Sequence, residues 1–169
     1  MKISINSKDK IMCAKFRKGH FEGVLAVINQ LLGIIRAKYM FLGIKDYQQL
    51  YLIRKFIKNK FDTKIIACKT IRDKNHLAYS SRNFLLSKND LIKASKVIKK
   101  IKFIYYKIKK NINNSKKIND IKNEISNSDI KIEYLQIRNK YNLSKKYNKY
   151  NFKIFIAFYI NKVRLIDNF

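Results

Sequence analysis

Two short stretches concentrate the side chains best suited to chemistry. "FLGIKDYQQLYLIRKF", residues 41–56, sets Lys45, Asp46, Gln48 and Gln49 between two apolar runs. "KTIRDKNHLAYSSRNF", residues 69–84, carries Ser80, Ser81 and Arg82 in a row. Polar groups so placed either cap a helix or hold a ligand. A lysine charge, two hydroxyls and a guanidinium fork are the groups that bind phosphate oxygens. Asp46 as a helix cap and Arg82 as a solvated side chain fit the same spacing, and spacing alone leaves both readings open. Metal chemistry finds little support: His20 and His76 are the only histidines, and Cys13 and Cys68 form no C-x-x-C pair.

The elements around these residues follow from hydrophobic period. "VLAVINQLLGII" (24–35) reads as a buried helix, apolar on nearly every side, and "KYMFL" (38–42) as a buried strand that Gly43 ends. From Asp46 to about Asn59 the spacing of Leu50, Ile53 and Ile57 predicts a helix, and "KIIAC" (64–68) a second strand. Strand, helix, strand at this length is a βαβ unit with parallel strands. In open α/β sheets ligands sit outside the carboxyl ends of the strands, beside free helix N-termini. Gly43 to Asp46 occupies one such corner, and the 69–84 loop follows the second strand.

Beyond Ser87 the pattern changes. "SKND" resembles a capping box opening a long amphipathic helix, with Leu91, Ala94, Ile98, Ile101, Ile104, Tyr105 and Ile108 on one stripe. "NINNSKKIN" (111–119) reads as a polar connection, followed by a short helical stretch to about Ile125. "KIEYLQIR" (131–138), "FKIFIAFYI" (152–160) and "VRLI" (163–166) read as strands, the last two joined by a turn at Asn161-Lys162.

Composition bounds the function classes. The chain has 169 residues and a formal net charge of +28, from 39 basic residues of which seven are Arg. A polyanion partner would fit that charge. So does composition alone: Lys, Ile and Asn dominate while Pro and Trp are absent, the signature of coding in an AT-rich genome. No acidic residue lies between Asp90 and Asp120, yet the lysines there also fit a solvated face covering a small domain. The longest uncharged run, Gly23 to Ile35, is too short to span a bilayer, and the first twelve residues lack the apolar core of a secretory signal. Reduced thiols in a cytoplasmic protein are the plain expectation.

Four ordered segments then carry a resemblance. "FRKGHFEGV" (16–24), "FLGIKDYQQLYLIRK" (41–55), "LAYSSRNFLLS" (77–87) and "VRLIDN" (163–168) resemble successive motifs of the pantothenate synthetases, the pantoate–β-alanine ligases of the HIGH-motif nucleotidyl-transferase superfamily. The resemblance implies an α/β fold. Residues 1–84 would be the C-terminal part of a Rossmann-like nucleotide-binding domain, and 85–169 a small α+β lid domain. It implies ATP, with Mg²⁺, and a two-step reaction in which pantoate is adenylated and the amine of β-alanine then displaces AMP.

Carried over by position, Gly43 and Asp46 would hold the ATP ribose, with Ile44 beside them where the family has Glu. Lys45 would neutralise phosphate charge, and Gln49 would bind pantoate. Ile71 would meet adenine through its backbone and Tyr79 would line the nucleotide site. Ser80, Ser81 and Arg82 would grip the phosphates, with Lys45 and Arg82 the catalytic pair. Arg17 and His20 would border the site, and no metal ligand is assigned.

Other departures are Lys18 and Lys69 for prolines and His76 for a glycine. The family's His-x-Gly-His signature, most of its pantoate pocket and its acidic residues near Mg²⁺ have no counterpart, so the chain corresponds to roughly the C-terminal three-fifths of the family. Either the coding sequence continues upstream of Met1 or a separately encoded N-terminal half is a partner, and the family's homodimer is a further partner the resemblance allows. Membrane and nucleic-acid partners are not expected. A decayed, non-catalytic remnant and a polyanion-binding protein using the lysine-rich helix are the competing readings.

Overall fold

The computed structural model describes residues 3–126 and 129–169. Its contacts group into two compact units, Met1–Thr70 and Ile71–Phe169. The sequence boundary was expected at 84/85. Residues 71–84 instead group with the second unit, because Arg72 pairs with Asp167 and Leu77 enters that unit's core.

In the first unit, α1 (Cys13–Phe16) and α2 (His20–Ile35) precede β1 (Tyr39–Gly43), α3 (Tyr47–Ile57) and β2 (Lys64–Cys68). β1 and β2 pair in parallel, Tyr39 with Lys64 through Gly43 with Cys68, as the βαβ reading requires. The chain leaves β1 through a 3₁₀ turn, Ile44–Asp46, directly into α3. α3 buries Leu50, Leu52, Ile53 and Ile57, the stripe its apolar spacing dictates.

Two expectations fail here. The 24–35 segment is helical, but only Phe21, Leu25 and Leu32 of α2 are buried, and Ile34 is 81% exposed. β1 is a strand with no buried residue, and Phe41 is 68% exposed. Apolar character reported burial correctly only where the chain itself supplies a covering layer.

The second unit has that layer. α4 (Lys88–Lys110), α5 (Ile118–Ile125) and the strands β3 (Ile130–Asn139), β4 (Phe152–Ile160) and β5 (Val163–Asn168) form a three-stranded antiparallel sheet with helices against it. Ser87 opens α4 by accepting a hydrogen bond from the Asp90 backbone N–H at 3.1 Å, the cap its sequence predicts. α4 buries Ala94, Val97, Ile98, Ile101, Ile104 and Ile108, which join Ile154, Ile156, Phe158 and Ile160 of the central strand β4 in one core. Leu91 and Tyr105, expected on the same stripe, are partly buried against it. Asn161 turns β4 into β5 at φ +53°, a conformation Asn tolerates well.

His76 also lies at positive φ, +70°, where a β-carbon is penalised. The backbone there explains why glycine suits the position. His76→Gly is expected to raise stability by about 1 kcal/mol in urea unfolding. A Lys102→Ala control removes the 3.3 Å Lys102–His76 contact without touching the backbone, and should leave stability nearly unchanged.

Candidate active site

In the first unit, Gly43, Ile44, Lys45 and Asp46 stand together at the carboxyl end of β1, on the turn that opens α3. Gly43 has φ −69° and ψ +134°, ordinary extended backbone, and a β-carbon built there would meet nothing within 4 Å. Nothing within this chain requires glycine at that point. Asp46 occupies the N-cap position of α3, yet its side chain makes no capping hydrogen bond. The capping alternative for Asp46 therefore fails, and its exposed carboxylate remains available to a ligand.

Gln48 and Gln49 separate in role. Gln48 is buried and donates through Nε2 to the carbonyls of Asp9 (3.1 Å) and Ile11 (2.8 Å), tying the N-terminal segment to α3. Its Oε1 is buried with no hydrogen-bond partner. Asp9 is fixed further by Lys55 at 2.6 Å, a pairing that raises the Lys55 pKa. Gln49 is half-buried on the first turn of α3. Arg17 lies two residues before Gly19 and His20 directly after it, and the φ of +76° at Gly19 turns the chain into α2.

In the second unit the candidate residues sit on a loop with its own internal scaffold. A β-bridge joins Arg72 to Ala78, and Asp73 Oδ1 accepts from the backbone N–H groups of Asn75 and Leu77. Tyr79 donates its backbone N–H to the Ile71 carbonyl at 3.1 Å, so Ile71 and Tyr79 are held side by side, both exposed. Ser80 Oγ accepts from the Arg82 backbone N–H at 3.2 Å, starting the 3₁₀ turn Ser81–Leu85. The Arg82 guanidinium donates to the Arg164 carbonyl at 2.9 Å. The expectation of an Arg82 simply dissolved in water is therefore wrong: one edge of its fork is anchored to β5.

The residues that hold this loop were missed by spacing. Arg164 pairs with Glu133 of β3, Nη2 to Oε2 at 2.5 Å, which fixes the strand carrying the Arg82 anchor. Arg72 grips Asp167 in bidentate fashion, at 2.6 and 2.8 Å, with the Asp167 side chain 2% exposed. "VRLIDN" thus acts structurally, since Arg164 and Asp167 fasten the two ends of the 72–82 loop. Only the recurrence of that segment as a motif hinted at such a role.

Charge is unevenly compensated around Asp167. Burial pushes the Lys153 pKa down to about 8, with Asp167 opposing the shift and Arg72 and Lys140 adding to it. The lysine keeps a 2.7 Å hydrogen bond to Asn168 Oδ1. Because the folded pKa lies below the ordinary 10.5, the unfolded chain holds this proton more tightly between about pH 8 and 10.5. This contribution to stability is therefore fully present above about pH 10.5 and is lost as pH falls to the folded pKa of about 8. Lys153→Met is expected to flatten the window by about 3 kcal/mol relative to the parent, read as the difference between their pH-dependent unfolding curves.

Elsewhere, an open groove of about 310 Å³ lies along α4, lined by Lys93, Lys96, Val97, Lys100, Glu124 and Ile125 among others. It contains none of the candidate residues, and its lysines are partly neutralised: Lys93 meets Asp129 at 2.7 Å and Lys100 pairs with Glu124. α4 thus does what the plainer reading assigned it, covering the second unit's core with its apolar stripe. Among the described residues no three His, Cys, Asp or Glu side chains gather as a metal site, and no helix is long and apolar enough to cross a membrane.

The comparisons with known proteins agree on one family. The family model for pantoate-β-alanine ligase matches residues 1–169. Pantothenate synthetase of Francisella tularensis subsp. mediasiatica is 41% identical over 160 residues, and that of subsp. novicida is 39% identical. Each alignment covers 94% of this chain and 53% of the relative, so the chain spans about half the length of the curated relatives it matches.

A crystal structure of pantoate-β-alanine ligase from Francisella tularensis, complexed with β-γ ATP and β-alanine, matches with a TM-score of 0.77 at 35% identity. It covers all of this chain and 57% of that one. Pantothenate synthetase from Thermus thermophilus, 22% identical, shares the fold at a TM-score of 0.86 with 63% of its chain covered. The α/β architecture, with its parallel pair and separate antiparallel sheet, is thus that of solved pantothenate synthetases, and this chain belongs to the pantoate-β-alanine ligase family.

Proposed function

We propose that this chain supplies the nucleotide-gripping part of an ATP-dependent ligase that joins pantoate to β-alanine. The observation that carries the reading is the corner after β1. A glycine with no conformational need, a lysine and an uncapped aspartate stand where parallel strands present ligands to a helix N-terminus. The Francisella tularensis structure, whose bound molecules are β-γ ATP and β-alanine, supports ATP as the nucleotide.

In this reading a pantoate carboxylate oxygen attacks the α-phosphorus of ATP and pyrophosphate leaves. The β-alanine amine then attacks the acyl carbon of the pantoyl adenylate and AMP leaves. Lys45 and Arg82 offset the charge that builds on the phosphates, a preorganised electrostatic contribution. Ser80 and Ser81 hold phosphate oxygens; the Ser80 Oγ accepts from the Arg82 N–H, which leaves its own proton to donate. Gly43 and Asp46 seat the ribose, with Ile44 against them, and the backbone of Ile71 and the ring of Tyr79 face the base. Gln49 orients pantoate, and Arg17 and His20 border the site.

Mg²⁺ would accompany the ATP phosphates, with its ligands on the part of the family's length outside this chain. That part, joined to this chain or separately encoded, is the partner the reading requires; a homodimer and a cytoplasmic setting follow the family pattern.

The test combines this chain with the segment of the Francisella tularensis enzyme that lies outside the match. AMP release should require both pantoate and β-alanine. AMP release independent of either substrate, or none from a stably formed assembly, would overturn the ligase reading. Gly43→Ala should leave stability unchanged, because its methyl meets open space, yet raise the KM for ATP about tenfold.

A further inference from the structure

Covering the second unit's core occupies only one face of α4, the one that buries Ala94, Val97, Ile101, Ile104 and Ile108. On the opposite side Lys96, Lys99, Phe103, Tyr106 and Lys110 recur at steps of three and four residues, which makes them one continuous face. A face of lysines alone would be an ordinary solvated helix. This one carries two large rings in its middle, Phe103 at 59% and Tyr106 at 51% exposure.

Both rings are held in place. Lys107 covers one side of the Phe103 ring, 4.4 Å from its centroid. Tyr106 meets Tyr105 edge-on at 5.5 Å, and Tyr105 packs at 5.3 Å on Phe152, a member of the core. A ring fixed from behind and open in front is a stacking platform that loses little freedom when a flat ligand covers it.

Charge is segregated across the helix in the same sense. On the flank beside α5, Lys93 pairs with Asp129 and Lys100 with Glu124. Among the described residues Lys96, Lys99 and Lys110 meet no carboxylate. Unopposed positive charge and exposed rings therefore coincide on one face. A lysine-rich composition accounts for the number of lysines, not for this arrangement.

The face selects among possible occupants. A bilayer fits poorly, because the apolar stripe of α4 is already buried in the second unit and none is left to sink below the headgroups. A second copy of this chain is opposed by the net charge of +28 on each molecule. Cations that follow a phosphate chain, with aromatic rings set among them, are what a single-stranded nucleic acid requires. The Tyr106 hydroxyl makes no hydrogen bond among the described residues, which leaves it for the 2′-hydroxyl that distinguishes RNA from DNA.

We propose that the outer face of α4 binds single-stranded RNA, with Lys96, Lys99 and Lys110 along the phosphates and Phe103 and Tyr106 against the bases. This is a second function, independent of the ligase reading, because α4 carries none of the candidate ligand residues.

The test titrates this chain into a fluorescently labelled oligouridylate of about twelve nucleotides, long enough for one stacking site, and follows anisotropy from 50 to 200 mM salt. Phe103→Leu and Tyr106→Leu should each weaken binding about fivefold or more, since leucine keeps the helix but offers no ring to stack on. Lys99→Ala with Lys110→Ala should flatten the slope of log K against log salt by about 1.4. Lys10→Ala with Lys58→Ala removes as much charge from exposed positions elsewhere and should alter affinity less than about twofold. Oligodeoxyuridylate, which differs only at the sugar, should bind about threefold more weakly, and Tyr106→Phe should erase that preference. Tyr106→Phe removes a single exposed oxygen, so it decides the matter if a leucine variant unfolds.

Absence of binding at 50 mM salt would overturn the proposal. So would leucine variants with the parent's affinity, or an equal loss from the Lys10 and Lys58 pair, since both outcomes mean that charge alone is at work. Equal affinity for the two sugars would overturn the assignment to RNA. Binding to phosphatidylserine vesicles that the oligouridylate cannot displace would make the face a membrane surface instead.

Discussion

Lys45→Ala and Arg82→Ala are each expected to lower turnover of the assembled ligase about a thousandfold, while Lys107→Ala leaves it unchanged. The magnitude is that of removing one preorganised charge from the proposed phosphate site, a loss of roughly 4 kcal/mol. Lys107 is a fair control because it lies on α4, over the Phe103 ring at 4.4 Å, away from both candidate loops in sequence. The two losses should differ in kind. Arg82 spends one N–H on the Arg164 carbonyl, so Arg82→Lys keeps the charge but loses the anchored fork and should recover little. Lys45→Arg keeps a charge on the 3₁₀ turn after β1 and should recover more. Equal losses from Lys45, Arg82 and Lys107 would remove the basis for the site.

Asp167→Ala is expected to cost the second unit about 3–5 kcal/mol, the largest stability effect of any single substitution proposed here. The Arg72 guanidinium would lose both charge-assisted bonds while it remains packed over the Phe169 ring at 4.6 Å. Lys153, already held by burial to a pKa of about 8, would lose the carboxylate that opposes that shift. Replacing both partners, as Arg72→Met with Asp167→Leu, should restore most of the stability, since the penalty comes from stranding one charge rather than from losing the pair. Urea unfolding of the single and double variants measures this. A single variant as stable as the parent would show that the ion pair is not what fastens the 72–82 loop.

Where one chain supplies both sides of a contact, the sequence was easily read. "FKIFIAFYI" proved to be β4 residue for residue, the Asn161-Lys162 turn falls where it was expected, and "SKND" caps α4 as its spacing predicts. The parallel βαβ order also followed from element lengths alone.

Burial was misread at Phe41, Ile34 and Ile35 for a physical reason. Apolar side chains declare that a partner surface exists, not that the same chain contains it. The candidate motifs could be picked out in the sequence, but the residues that support their loops could not. Gln48 looks like a ligand-binding residue until its amide is seen bonded to Asp9 and Ile11. Arg164 and Asp167 act across more than eighty residues, a separation that no local pattern encodes. His76 shows the reverse case: its substitution for glycine marked a backbone at φ +70°.

The central claim is that this chain carries the nucleotide-gripping residues of a pantoate–β-alanine ligase. It is tested most directly by a crystal structure of this chain assembled with the remainder of the family's length and a non-hydrolysable ATP analogue. Lys45 Nζ and the Arg82 guanidinium should both lie within about 4 Å of oxygens on the same triphosphate. A nucleotide contacted by one of them alone, with the other facing solvent, would contradict the account.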